Sequence, residues 1–501
     1  MLRPALAVVV ALSSGLSLAS CGSSSPEPAG PAAPRPPEPV AGGRPESTEP
    51  APATPLADPY REVAARIIAA AEADKGAWEK LAYLTDRIGH RLSGSPALER
   101  AVTWAVEAMK ADGHESVRAE KVMVPHWVRG AESGALLGPV ERPVALLGLG
   151  GSAATPKKGI VAEVIVVRDF AELDRRAAEV KGKIVLFDVA LPPYSEEKGP
   201  GYGEVVEYRG RGPSRAAALG ARAALVRSIT AHSLRTPHTG STRFQEGQKP
   251  IPAAAVSVED AELIARLTAA GERVKMRLVL SARTLPDAAS ANVIGEIRGR
   301  EKPDEIVVIS GHLDSWDVGQ GAHDDGAGVV IAMQALTVLR KLGLTPRRTI
   351  RVVLWTNEEN GLAGARQYVV DHAAELPRHV LAIEADTGSF PPRGFDGQFS
   401  EPAMRQLTDL VSVLAPIDAA RIQPGHGGSD IGMMEPAGVP LLGLWMDRAT
   451  YFDYHHSEAD TLDKVDPRVL ARNVAAMAVM AYVAADTPER IAAGRAPEAA
   501  P

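Results

Sequence analysis

The sequence holds one cysteine, Cys21, in 501 residues. That excludes an internal disulfide framework, and it excludes a cysteine-ligated zinc site or a thiol nucleophile in the mature fold. Positive charge is not in excess either: 55 Lys and Arg stand against 62 Asp and Glu, a formal net charge of -7. A nucleic-acid binder would carry a basic surplus, so no nucleic-acid partner is expected. Two hydrolase signatures are missing, the Gly-x-Ser-x-Gly elbow of serine hydrolases and the His-Glu-x-x-His helix of zincins. With 45% hydrophobic and 23% charged residues, the chain is globular and long enough for more than one domain.

The first 21 residues read MLRPALAVVVALSSGLSLASC. Arg3, an apolar run and then small residues are the layout of a secretory signal, and the run is short for a membrane span. Leu18-Ala19-Ser20-Cys21 resembles the lipobox of bacterial lipoproteins. The resemblance implies that Cys21 is lipidated and becomes the mature N-terminus. It also implies an exported protein held by membrane lipid, at the periplasmic face of an outer membrane or at the cell surface. The competing reading is a cleaved signal with an incidental cysteine. Residues 22–58, rich in Pro, Ala, Ser and Glu, offer no apolar spacing that could build a core and read as a disordered tether. Residues 489–501 read as a disordered tail.

Helical spacing begins after Tyr60, and a second amphipathic helix follows with Ser95 and Pro96 as start signals and Gly113 as stop. Residues 131–285 have another texture. GIVAEVIVV, KGKIVLFDVA and ARAALVRS read as short strands between glycine-bearing turns, with SRAAALGA as a small helix. The segments VKGKIVLFD, AAALGARAALV and IPAAAVSVEDAELI resemble the protease-associated domain, a β-rich module inserted into peptidases. That resemblance implies a role in shaping access to an active site; a separate ligand-binding domain is the competing reading. From Ser290 onward strands alternate with helical patterns, so residues 59–130 and 286–488 form one discontinuous α/β domain. Its sheet is expected to be mixed and mostly parallel, with helices on both faces.

Polar residues in this domain collect where strands end, the edge at which such sheets bind ligands. The stretch SGHLDSWDVGQGAHDDGAG, Ser310 to Gly328, holds two histidines and four aspartates. Carboxylates at close range repel one another and need counter-charge when buried. His312, Asp324, Glu359, Asp386 and a histidine from YHHSEADT would offer nitrogen and oxygen ligands suited to zinc or a similar ion. One four-coordinate ion leaves a carboxylate over. Two ions bridged by one carboxylate and a water use all five.

At these residues the sequence resembles the dizinc peptidases of the M28 type, within them the carboxypeptidase Q branch. The resemblance implies two Zn2+ ions. It gives His312 and Asp386 as terminal ligands, Asp324 as the bridge, Glu359 and His456 as ligands of the other ion, and Glu358 as general base. His455 adjoins His456 and is the alternative ligand. Asp314 is expected to accept a hydrogen bond from the distal nitrogen of His312, fixing its tautomer, or simply to form a turn. In this family Asp325 belongs to a non-proline cis peptide. His426, in GHGGSDIG, resembles a substrate-pocket residue or else stabilises its loop.

The implied activity is metal-dependent hydrolysis of dipeptides or short peptides by a homodimeric exopeptidase. The alternatives are an aminopeptidase acting on longer peptides, a glutaminyl-cyclase-like acyltransferase, and a receptor-like relative without catalysis. For the N-terminus, Cys21→Ser is expected to leave the precursor unlipidated. Mass spectrometry of the mature N-terminus checks this, and an unchanged lipid-bearing mass would refute the lipobox.

Overall fold

The computed structural model describes residues 55–196 and 199–494. The expected signal, residues 22–54 of the expected tether and residues 495–501 of the expected tail lie outside the described residues.

Among the described residues, sixteen strands form two sheets of eight. The first strand, β1 (Glu115–Val128), is followed by β2 (Glu132–Gly138), β3 (Glu141–Val144), β4 (Leu146–Gly148) and β5 (Ile160–Val167). Then come β6 (Ile184–Phe187), β7 (Ala223–Arg227), β8 (Ala253–Val256) and β9 (Lys275–Leu280). The chain continues through β10 (Arg283–Ile297), β11 (Lys302–His312), β12 (Arg348–Trp355) and β13 (His379–Glu384). It finishes with β14 (Pro392–Gln398), β15 (Arg421–Pro424) and β16 (Leu441–Met446).

The main sheet runs β1-β10-β12-β11-β13-β16-β14-β15. Its centre, β12-β11-β13-β16, is parallel, and antiparallel pairs flank it. A parallel centre must be buried on both faces, because crossover helices cover them. The residues obey this: Val307 and Ile309 pack into one core with the helices Ala327–Lys341 and Pro467–Asp486. Ile306 and Val308, one residue out of phase, pack into the opposite core with the helix Ala363–Asp371. The helix Pro467–Asp486 is long and apolar enough to cross a membrane, but 89% of its apolar window is buried inside the protein. It is a core helix.

Strands β2 to β9 build the second sheet, in the order β3-β2-β9-β5-β6-β7-β8-β4. This segment leaves after β1 and returns into β10, and those two strands pair antiparallel along most of their length. It is less purely β than the sequence suggested. Parallel pairs β5-β6, β6-β7 and β7-β8 need crossovers; helices supply the first two, among them Gly212–Ala218, and an irregular segment supplies the third.

Local signals act as the sequence suggested at the helix Pro96–Ala111, where the Ser95 hydroxyl accepts from the Leu98 amide. The long pattern after Tyr60 is instead split into Arg61–Ala73 and Gly76–Tyr83, because Asp74 takes extended backbone angles. Both terminal boundaries also differ. The expected tether ended at 58, yet Ala57 is fully buried and the Leu56 amide donates to Asp409. The expected tail began at 489, yet Ile491 is buried, Arg490 donates to the carbonyls of Pro377 and His379, and the Gly494 amide donates to Gly438. In both places a few apolar or backbone groups find partners that composition alone does not reveal.

Candidate active site and metal centre

Parallel register places the ends of β11, β12 and β13 side by side: His312 pairs with Trp355, and Ser310 with Glu384. The turns that leave these ends carry Asp314, Glu358, Glu359 and Asp386. The site is thus one edge of the parallel centre.

His312 is buried, and its Nδ1 lies 3.0 Å from the backbone carbonyl of Asp314. Donation to that carbonyl leaves Nε2 as a bare lone pair. The Asp314 carboxylate, expected to hold this nitrogen, lies 3.8 Å from it. That expectation is corrected, and the reason is satisfaction elsewhere. The carboxylate accepts from the amides of Glu358 and Glu359 at 3.0 and 3.4 Å and from the Ser93 hydroxyl at 3.3 Å. Fully buried, Asp314 positions the Glu358-Glu359 backbone and does not reach the cavity.

Asp324 sits between two groups of ligand-type atoms. Its Oδ1 is 3.2 Å from His312 Nε2, which is also 3.2 Å from Asp386 Oδ1. Its Oδ2 is 3.2 Å from His456 Nε2, which is 3.0 Å from Glu359 Oε2. His456 Nδ1 lies 3.2 Å from the Thr239 carbonyl, so its Nε2 is likewise turned inward. In each group one imidazole lone pair and two carboxylate oxygens converge, three acceptors with no donor among them. His312 Nε2 and Asp324 Oδ2 are buried without a directed hydrogen bond among the described residues. Each group offers the acceptors that could hold a metal ion. Nitrogen and oxygen donors at this spacing fit zinc or a similar first-row ion.

Two neighbours also reach these points, since Asp325 converges with His312 and Asp386, and His455 with Asp324 and His456. Asp325, however, spends both oxygens on the amides of His312 and Gly328, at 2.9 and 3.0 Å. Its peptide bond with Asp324 is cis. His455 Nε2 stands 3.7 Å from Asp324 Oδ2, farther than His456, and its ring stacks on that of His456 at 3.5 Å between centroids. Distance thus favours His456 as the ligand.

The electrostatics reflect crowded negative charge. Burial would lower the His312 pKa, but Asp386 and Asp324 outweigh it and hold the ring well above its usual range. Burial raises the Glu358 carboxyl well above the carboxylate range against the pull of His312, and Asp386 and Glu359 add to the rise. Burial lifts Glu384 to about 7, helped by Asp386. Fixed cations are built in as well: fully buried Arg91 donates to the carbonyls of Leu313, Gln320 and Gly321 at 2.6, 2.9 and 3.0 Å. Asp460 accepts from the amides of His323 and Asp324, at 2.7 and 3.1 Å, and so holds the Asp324 backbone.

The groups open into a cavity of about 900 Å3. Glu358, Asp386, His426 and Arg448 line it, with His426 exposed at its rim. The β2–β9 segment contributes Tyr202 and Arg209 to the wall, and Thr239 grips His456 by its carbonyl and its amide. Sequence reasoning missed Arg91, Tyr202, Arg209 and Thr239. Arg91 stood in a polar turn, IGHRLSG, where its burial could have been suspected; the other three carry no local signal.

A ligand-lined edge of a mixed α/β sheet, with a shared carboxylate and a cavity-facing glutamate, is the site of a hydrolase-like enzyme. Peptidase family M28 matches residues 292–481, which include every ligand-type residue named above. The chain is 42% identical to carboxypeptidase Q of Mus musculus over 86% of its own length and 91% of that protein. It is also 42% identical to carboxypeptidase Q of Homo sapiens, over 84% and 87%. Among solved structures, the peptidase M28 precursor of Shewanella amazonensis superposes with a TM-score of 0.84 at 37% identity, covering 87% of this chain and 99% of that one. A zinc aminopeptidase of Bacillus subtilis shares the fold, with a TM-score of 0.63 at 21% identity and coverage of 83% and 96%. The chain belongs to peptidase family M28 and is a peptidase.

Asp324→Ala removes the carboxylate that gives one oxygen to each group and is expected to lose metal as well as activity. Elemental analysis of the purified variant checks this; parental metal content would argue against a bridge.

Proposed function

We propose that this peptidase is a dizinc exopeptidase that hydrolyses dipeptides or short peptides with a free terminus. The observation that carries the reading is the placement of Asp324 between two converging acceptor groups, beside Glu358 in the cavity wall. His312 and Asp386 would hold one ion, His456 and Glu359 the other, with Asp324 shared between them. Bound there, the ions would supply Lewis acidity, lowering the pKa of a water and polarising the scissile carbonyl.

The chain's own residues supply the rest. Glu358 takes a proton from the attacking water and returns it to the leaving amine. Its backbone is fixed by Asp314, so the carboxylate is presented to the cavity rather than left to swing with the turn. The β2–β9 segment is read as a protease-associated domain, supported by its glycine and hydrophobic patterns and by its contribution to the cavity wall. An exported, Cys21-anchored location is supported by the N-terminal sequence.

The test is metal stoichiometry together with hydrolysis of a dipeptide panel before and after chelation. About two zinc ions per chain and chelator-sensitive cleavage support the reading. Absence of zinc after supplementation, with no cleavage, would favour a receptor-like relative. Glu358→Ala is expected to cut kcat by about 10^2- to 10^4-fold, the usual worth of a general base, with zinc content retained. Unchanged turnover would remove Glu358 from the mechanism.

A further inference from the structure

Tyr202 and Arg209 face the cavity but have no part in the mechanism above. They begin and nearly end one helix, Tyr202–Gly210. Arg209 is buried, and its Nη2 donates to the Tyr202 hydroxyl at 2.6 Å. A guanidinium has donors only, so it occupies an oxygen lone pair and leaves the phenol's own proton pointing elsewhere. Among the described residues that hydroxyl gives no hydrogen bond. The Tyr202 ring is clamped, stacked on Phe452 at 4.8 Å and set edgewise to His455 at 5.4 Å. Arg209 is clamped as well, with Nη1 donating to the Thr239 carbonyl at 3.3 Å. A rigid O–H donor, polarised by a cation, therefore lines the same cavity as Asp324, Glu358 and Asp386.

We propose that Tyr202 is a catalytic residue whose hydroxyl donates a hydrogen bond to the scissile carbonyl oxygen as negative charge develops there, and that Arg209 is the residue that positions it. The proposal rests on the hydrolase reading above. As water adds to the carbonyl carbon, it gives a proton to Glu358 and the C=O π pair moves onto the oxygen. Tyr202 stabilises that oxygen without surrendering its proton. When the pair returns, the C–N bond breaks and Glu358 delivers its proton to the leaving nitrogen. A donor aimed at developing charge acts mainly on kcat.

Tyr202→Phe keeps the ring and its stack on Phe452 while deleting the donor. In the full chain it is expected to lower kcat by about 10^2-fold, with KM and zinc content near parental values. Calorimetry adds a readout independent of turnover. Affinity for a phosphinic isostere of alanyl-alanine, which carries an anionic oxygen, should fall by a similar factor. Affinity for the reduced-amide isostere, which lacks that oxygen, should not change. Arg209→Lys should show a partial loss of the same pattern. Parental kcat in Tyr202→Phe, or equal losses for both isosteres, would overturn the role of Tyr202 alone. A zinc-supplemented parent without turnover would overturn the hydrolase reading and this role with it.

Discussion

The site depends on the neutralisation of buried negative charge at Asp324. Two unit charges 4 Å apart interact by about 4 kcal/mol at an effective dielectric constant near 20. Asp324, Glu359 and Asp386 crowd the same two histidine nitrogens within 3.2 Å. No hydrogen-bond pattern relieves this, because the facing atoms are all acceptors. Arg91 supplies one cation, but it is committed to backbone carbonyls. The remaining positive charge must come from outside the chain or from protons on the imidazoles. Cation binding and protonation thus compete for the same lone pairs, which couples occupancy to pH.

The carboxylates at this edge divide by what binds their oxygens. Asp314, Asp325 and Asp460 each accept two backbone amides, fixing the Glu358-Glu359 turn, the His312 strand end and the Asp324 backbone respectively. They are scaffold. Asp324, Glu359 and Asp386 turn oxygens inward, and Glu358 faces the cavity. Residue type does not separate the two sets; only the backbone geometry of parallel strand ends does.

This division marks the limit of what the sequence could show. The alternation of apolar strands and helical patterns exposed the α/β domain, and polar residues at strand ends exposed the edge where they meet. Asp314 was assigned to the wrong partner because its neighbours, two amides 44 and 45 residues away, are invisible in a local motif. Arg209 lies 247 residues from His456, and no pattern joins them. Composition misjudged the chain near Ala57 and Ile491 for a related reason: a buried side chain and a few backbone or arginine hydrogen bonds to distant residues dock each segment.

The second sheet bears on the site more directly than a cover would. His456 adopts a φ of 60°, a left-handed conformation uncommon outside glycine. Thr239 meets it from the β7–β8 connection, donating its amide to the His456 carbonyl at 2.9 Å while its own carbonyl receives the ring. His238 Nδ1 lies 2.6 Å from the adjacent carbonyl of His455. A strained residue persists when its surroundings over-determine it, and here those surroundings come from the inserted segment. Because β1 and β10 pair at its root, the segment is held at one end by the main sheet and at the other by the histidine it orients. Displacing Thr239 would therefore remove the carbonyl that sets the His456 ring, although it lies 217 residues away in the sequence.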